Sequence, residues 1–234
     1  MSRRIALAWV LGLALLTMAT APLALLVDHL KLAPQGLTAV EASGSVWHGV
    51  LRSARWRGQS LGDVSIRLQA LPLLLGERRL RVDNASWQGT LLDGSRQGLV
   101  GGNGTIALPA MPALPDSSLS ISMQDAALVF KDQQCVEASG SLNATLQTAI
   151  ASVPELRLSG VLSCARQQGR VVLASAADAP LRVDGILTLA ADASYTLQST
   201  AQVQDPAAKL MLQLAGFRET PSGLVRSDDG HLAN

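Results

Sequence analysis

Alternation of apolar and polar residues, without any sustained helical period, is the feature that most limits how this chain can fold. Such alternation occurs in residues 63–70, and again around residues 119–123, 156–158 and 195–197. A period of two places successive side chains on opposite faces of a β-strand, one face buried and one in water. No segment after residue 37 keeps a period of 3.6 over three turns. Because helices that could cover a parallel sheet are missing and the connections are short, we expect an antiparallel sheet.

Residues 41–82 form the clearest unit of this pattern. Two strand-like runs are separated by turn residues, including Gly62, and are followed by the short apolar bridge LPLLLG. Pro72 and Gly76 bracket this bridge, which is too short for a long helix. The chain then returns to extended structure at residues 80–82.

Glycines recur near the middle of several predicted strands. A glycine inside a strand weakens it and usually marks a bend or bulge. We expect these glycines to lie at comparable heights and to let the sheet curl. They are Gly44, Gly104, Gly140, Gly160 and Gly185. The predicted fold is therefore mainly β: a single N-terminal transmembrane helix followed by a curled, mostly antiparallel sheet that forms an open trough or a partly closed barrel.

The charge balance argues against nucleic acid as a partner. The 234 residues carry a net charge of +1, and their charged side chains are scattered singly. A nucleic-acid-binding surface needs clustered lysines and arginines.

The N-terminus predicts a membrane anchor. Arg3 and Arg4 precede the uncharged residues 5–27, which exceed the roughly 20 residues that a spanning helix needs. The arginines predict a cytoplasmic N-terminus for residues 1–4. A signal peptide cleaved after Ala21 is the alternative. We favour the anchor, because cleavage would leave Pro22 at the new N-terminus and the apolar run is longer than a signal-peptide core.

The remaining chain divides into three predicted segments. Residues 28–36 carry charge, proline and glycine and predict a tether. Residues 37–217 predict the periplasmic β domain. Residues 218–234 lose the alternation and gather polar residues, which predicts a loose C-terminal tail.

The only two cysteines, Cys135 and Cys164, predict a disulfide. Both would lie in the exported, oxidising compartment. A hairpin turning near residues 152–154 brings Cys135 opposite Cys164, and Gly140 opposite Gly160. The alternatives are two free thiols or a metal site, but the cysteines and three histidines show no recognisable ligand spacing. We therefore expect no metal.

Motifs of catalysis and cofactor binding are missing from the sequence, so we expect neither an enzyme nor a cofactor. Trp47 and Trp56 are the candidate partner-binding residues, since exposed aromatic side chains anchor interfaces. Large aromatic residues are also common core fillers. We expect the hairpin of residues 44–56 to lie at or near one edge of the sheet, where another strand could pair with it.

The order of motifs in the first unit resembles a known family. GSVWHG at residues 44–49 is followed by LGD at residues 61–63, a strand to Leu68, and PLLLG at residues 72–76. This order is similar to the N-terminal part of protein N of the bacterial type II (general) secretion system. The resemblance implies a non-enzymatic accessory subunit of the inner membrane, single-pass, with its C-terminal domain in the periplasm and other secretion-system subunits as partners.

A second function would use the same strand pattern. One-faced strands with few helices over them could form a trough whose apolar face holds lipid acyl chains. A lipid-binding or lipid-transfer module at the inner membrane is therefore the alternative.

Overall fold

A computed structural model describes residues 22–23, 37–56, 59–108, 117–148, 155–179, 181–221 and 223–231. The chain divides into two compact units, Met1–Ala85 and Ser86–Asn234. In both units the described residues form mainly antiparallel β-sheet, as the alternation predicts.

In the part of the first unit that the structure describes there are five strands and one short helix. They are β1 (Leu37–Thr38), β2 (Glu41–Ser45), β3 (His48–Trp56), β4 (Gln59–Leu68), α1 (Ala70–Leu74) and β5 (Arg78–Asp83). Strands β1 and β2 both pair with β3, which pairs with β4, and β4 pairs with β5, always antiparallel. The apolar bridge predicted from the sequence is α1, a helix of little more than one turn.

One face of this sheet carries the core of the first unit. Its fully or nearly buried residues are Leu23, Leu51, Ala54, Val64 and Ile66. The two from β4 are those that the alternation assigns to the buried face. Leu23 comes from outside the sheet and is 0% exposed.

The described residues of the second unit form ten strands and one helix. They are β6 (Trp87–Asp93), β7 (Arg96–Leu108), β8 (Ser118–Lys131), β9 (Gln134–Gln147), β10 (Glu155–Ala165), β11 (Gln168–Ser175), β12 (Leu181–Leu189), β13 (Ser194–Val203), α2 (Pro206–Leu214), β14 (Arg218–Thr220) and β15 (Gly223–His231). Strands β6 to β13 follow one another in the sheet, and β15 and then β14 complete the order. Among the described strands of this unit, β6 and β14 do not pair with each other, so the sheet is not closed.

Three of the predicted glycines lie in one row across the second unit. Gly160 pairs with Leu142 on one side and Leu173 on the other, and Leu173 pairs in turn with Gly185. The same row continues from Leu142 through Met123 to Gly104. The expected common height is therefore present for these three glycines.

Gly140 departs from the predicted register. It lies two residues before Leu142, the residue that pairs with Gly160, so Gly140 is not opposite Gly160. The β9–β10 ladder is uninterrupted from Gln147–Glu155 to Ser141–Val161, so this register is set where β9 ends and β10 begins. Gly140 lies beyond that ladder, at a bulge between β8 and β9. Gly140 has φ +93°, and a Cβ built on it would lie 2.5 Å from the Asp125 carbonyl oxygen. A bulge with this close approach needs a glycine, and it shifts the alignment of the strands.

The prediction of a loose tail after residue 217 is wrong for residues 218–231. Strand β15 pairs with β13 along eight residues, from Ala201 opposite Leu224 to Ser194 opposite His231. Leu224 is 3% exposed and belongs to the core of this unit. Sheet pairing uses backbone groups, so a polar strand with one well-placed leucine suffices.

The helix α2 was not expected either. Its nine residues are fewer than three turns, which is too short for a clear period. The local signals are nevertheless present: the Asp205 side chain accepts a hydrogen bond from the Ala207 N–H at 3.1 Å, and Pro206 is the first helical residue. An aspartate cap followed by proline is a common helix start.

Most of the predicted anchor and all of the tether lie outside the described residues. Of residues 5–27, the structure describes only Pro22 and Leu23, and these contact the first unit: Pro22 forms an isolated antiparallel bridge with Ser45. Among the residues that the structure describes, no helix has the length and apolar character to cross a membrane.

Two glycines of the common row provide a matched test of the fold. Gly104 has φ +123°, and an added Cβ would lie very close to the Ser86 carbonyl oxygen, whereas the nearest atom to a Cβ on Gly185 is 3.8 Å away. We expect Gly104→Ala to lower the free energy of unfolding by about 2–4 kcal/mol, and Gly185→Ala to change it by less than about 1 kcal/mol. Urea unfolding followed by circular dichroism measures both. Equal midpoints for the two variants would contradict the register.

Candidate functional site

The motif GSVWHG forms a β-hairpin with a two-residue turn. Gly44 pairs with Gly49, and Ser45 with His48, which leaves Val46 and Trp47 in the turn between β2 and β3. Gly44 has φ +88°, and an added Cβ would meet the His48 carbonyl oxygen. The first glycine therefore provides backbone freedom that an L-residue lacks.

The second glycine of this motif makes room for Leu23. A Cβ built on Gly49 would lie 2.5 Å from Leu23 Cδ2 and 2.9 Å from the Ser45 carbonyl oxygen. Gly49 is itself buried. The end of the apolar N-terminal run and the hairpin motif thus fit each other directly.

The other two motifs also have structural roles. In LGD, Gly62 has φ +71°, and the Asp63 carboxylate accepts a hydrogen bond from the Ser53 N–H at 2.9 Å where β3 bulges against β4. In PLLLG, Gly76 has φ +79° and ends α1, with its N–H donating to the Leu73 carbonyl at 3.1 Å. A glycine in this conformation is a common helix terminator.

The structure does not bring Trp47 and Trp56 together. Trp47 lies in the turn before β3 and is half-buried, whereas Trp56 is the last residue of β3 and is 38% exposed. The two tryptophans are nine residues apart in sequence, which corresponds to about 25–30 Å along an extended strand. The two tryptophans cannot line one groove, and a partner-binding role for each stays a prediction.

Strand β2 lies at the edge of the first unit's sheet. Among the described residues it pairs with β3 along its length and, at its last residue, with Pro22. Residues 41–44 of β2 therefore have no second strand in the part of the chain that the structure describes. The expected edge position of this hairpin is present.

The Cys135–Cys164 disulfide, predicted from the sequence, is present. The two Cα atoms are 5.6 Å apart. The β9–β10 ladder ends at Ser141 and Val161, so the bond joins the strands beyond the last ladder pair. The Cys135 N–H also donates to the Gln167 carbonyl at 2.8 Å, in the turn after β10. The bond therefore holds the start of β9 to the β10–β11 turn.

Within the described part of the chain, no three His, Cys, Asp or Glu side chains are grouped to hold a metal. A surface depression of about 490 Å³ lies beside β14 and β15. Its charged lining is Arg218 together with Arg226, which pairs with Asp228 at 2.6 Å; the Arg226 guanidinium also donates to the Ala215 carbonyl. These groups stabilise the connection after α2.

Among the described residues, a carboxylate whose pKa is shifted by its surroundings lies in a turn. Asp192, between β12 and β13, accepts hydrogen bonds from the Ser194 hydroxyl at 2.6 Å and the Ser194 N–H at 2.9 Å. These bonds lower the pKa of Asp192, since they favour its charged form. The side chain is exposed and shapes the turn.

Comparison with known proteins decides the family. The model of the family described as type II secretion system (T2SS), protein N, matches residues 35–226. The chain belongs to this family. The match covers both units, from before β1 into β15.

A curated relative carries the same description. "Type II secretion system protein N" of Vibrio cholerae serotype O1 (strain ATCC 39315 / El Tor Inaba N16961) is 28% identical over 144 residues, 56% of this chain and 57% of the relative. The alignment thus spans little more than half of that protein's length. No solved structure matches the chain.

The disulfide gives a testable contribution to stability. We expect the double variant Cys135→Ser/Cys164→Ser to have a free energy of unfolding lower by about 3–4 kcal/mol. The bond joins residues with a sequence separation of 29, and so it reduces the conformational entropy of the unfolded chain. The measurement is urea unfolding with and without reductant. As a control, reductant should not shift the midpoint of the double variant. Recovery of both cysteines as free thiols from unreduced native protein would contradict the bond.

Proposed function

We propose that this chain is a non-enzymatic accessory subunit of a bacterial type II secretion system, anchored in the inner membrane with its β domain in the periplasm. The observation that carries this proposal is the family match over residues 35–226.

The anchor and the periplasmic location rest on the N-terminus and the cysteines. Arg3 and Arg4 followed by an apolar run favour a helix inserted with its N-terminus in the cytoplasm. The Cys135–Cys164 disulfide supports an oxidising compartment on the other side, because such bonds are rare in the cytosol.

Contact with another subunit would use the edge of the first unit. Residues 41–44 of β2 offer backbone N–H and carbonyl groups to an added strand, a mode in which main-chain hydrogen bonds provide affinity. Trp56 lies on the adjacent strand and is 38% exposed. It supplies the kind of aromatic side chain that anchors interfaces.

Photo-cross-linking in cells tests the assembly. We expect a photoreactive residue at Trp56 or Arg55 to form adducts with a secretion-system subunit when the whole system is expressed, and the adducts to be recovered from the membrane fraction. The same residue at Val161, 65% exposed on β10, is the control for random collisions. Adducts to lipid alone, or none to any secretion-system subunit, would contradict the proposal.

One observation favours the lipid-binding alternative. The apolar face of the second unit includes Met123, Leu142, Leu173 and Leu187, which pack around a buried cluster but remain only half-buried. Such a face could hold an acyl chain beside its own side chains.

Two adjacent residues of β11 distinguish this alternative. Leu173 packs against the apolar cluster, and its neighbour Val172 is 48% exposed on the opposite face. If the face holds lipid, a photoreactive residue at position 173 should yield phospholipid adducts in cells, whereas one at position 172 should not. Equal yields at the two positions, or none at 173, would exclude lipid binding on this face.

A further inference from the structure

Several features that favour membranes lie at one end of the first unit. This end, called here the α1 end, carries the Val46–Trp47 turn, α1 and the Pro22–Ser45 bridge. The Leu68 N–H donates to the Val46 carbonyl at 3.2 Å, which joins the end of β4 to the hairpin turn. Leu23 packs on Gly49, which pairs with Ile66 of β4. Ile66 lies four residues before Ala70, the first residue of α1, a distance of about 13 Å along an extended strand.

Helix α1 presents leucines to solvent. Leu71, Leu74 and Leu75 are 78%, 81% and 85% exposed. No residue of α1 is buried. We call these three leucines the leucine tip. Exposed apolar side chains are ordinary when scattered singly, but a group of three on a protruding turn indicates an interaction site.

Arginines surround the leucine tip. Strands β4 and β5, which flank α1, carry Arg67, Arg78, Arg79 and Arg81, and residues 65–83 contain only two carboxylates, Glu77 and Asp83. Arg79 pairs with Glu77 at 2.8 Å and Arg81 with Asp83 at 3.1 Å. Four arginines against two carboxylates still leave this segment with a net charge of +2, and Arg67 is exposed. Such a local excess of positive charge favours an anionic surface.

The position of Leu23 identifies that surface. The apolar run of the predicted anchor reaches Leu23, which is fully buried in the first unit at its α1 end. Residues 5–21 are 17 residues, which still reaches the shortest length of a membrane-spanning helix, roughly 17 residues. A helix that ends there would bring the α1 end to the membrane surface. Half-buried Trp47 in the turn fits the same depth, because tryptophan is enriched at membrane interfaces.

We propose that the α1 end of the first unit contacts the bilayer, with the leucine tip inserted at the boundary of headgroups and acyl chains and Arg67 against anionic phospholipid headgroups. Apolar side chains inserted at this depth and flanking arginines contribute independently to membrane binding. This inference rests on the proposed anchor. It adds a second contact, made by the folded domain itself, which fixes the orientation of the first unit on the membrane.

Site-specific fluorescence on the full chain tests the contact. An environment-sensitive fluorophore is attached to the cysteine of the Leu74→Cys variant. Val40→Cys, labelled in the same way, is the matched control, because Val40 is 84% exposed and precedes β2, away from the hairpin turn. The native cysteines are bonded and do not react. The labelled protein is reconstituted into vesicles of phosphatidylethanolamine and phosphatidylglycerol, with or without lipids brominated on the upper acyl chain. Flotation in a density gradient separately reports anchoring.

We expect the label at position 74 to shift to the blue and to lose fluorescence in brominated vesicles, and the label at position 40 to do neither. Arg67→Gln should reduce the quenching at position 74 most in vesicles rich in phosphatidylglycerol. An unquenched label at position 74 in protein that floats with the vesicles would overturn the contact but leave the anchor. Protein that does not float would overturn the anchor and, with it, this inference.

Discussion

The second unit must bury the apolar face of an open sheet with few residues above it, and leucines lying over glycines meet this requirement. Leu173 lies between Gly160 and Gly185 in one row, and a Cβ on Gly160 would lie 2.9 Å from Leu173 Cδ2. Leu128 of β8 lies over Gly169 of β11, at 2.5 Å from a Cβ there, although β9 and β10 lie between these strands in the sheet. A glycine costs roughly 0.5–1 kcal/mol within a strand. Here it provides space for the side chain of a leucine, and both leucines are half-buried.

This arrangement explains what the sequence could and could not predict. Alternation depends only on neighbouring residues, so strands such as β4 and β10 were predicted correctly. The disulfide was also predicted, although the register that suggested it was wrong by two residues: Leu142, and not Gly140, lies opposite Gly160. Strand pairing depends on the partner strand. Strand β15 was missed for that reason: its backbone pairs with β13 along eight residues, although most of its own side chains are polar.

The motifs that indicate the family have structural roles. They therefore identify the family without showing which residues bind a partner. Gly44 forms a turn, Asp63 holds a bulge and Gly76 ends a helix. Each position is restricted by backbone geometry. The surfaces available for binding, by contrast, are made of residues with little structural restriction, such as the exposed leucines of α1. From the sequence, PLLLG predicts a short bridge, but only the packing reveals that Leu74 and Leu75 are exposed whereas Leu73 is half-buried.

The contact between Leu23 and Gly49 also changes the meaning of the predicted tether. A tether at residues 28–36 would separate the membrane from the folded domain if the domain began at residue 37. Leu23 is already buried in the first unit, however, and the chain therefore meets this unit before the tether begins. Residues 24–36 then connect the α1 end to Leu37, which pairs with Trp56 at the opposite end of β3. A segment that starts and ends on the same unit cannot let that unit move away from an anchor. If residues 5–21 span the membrane, the first unit is held at its surface, and its edge strand β2 is presented to partners at a fixed height above the bilayer.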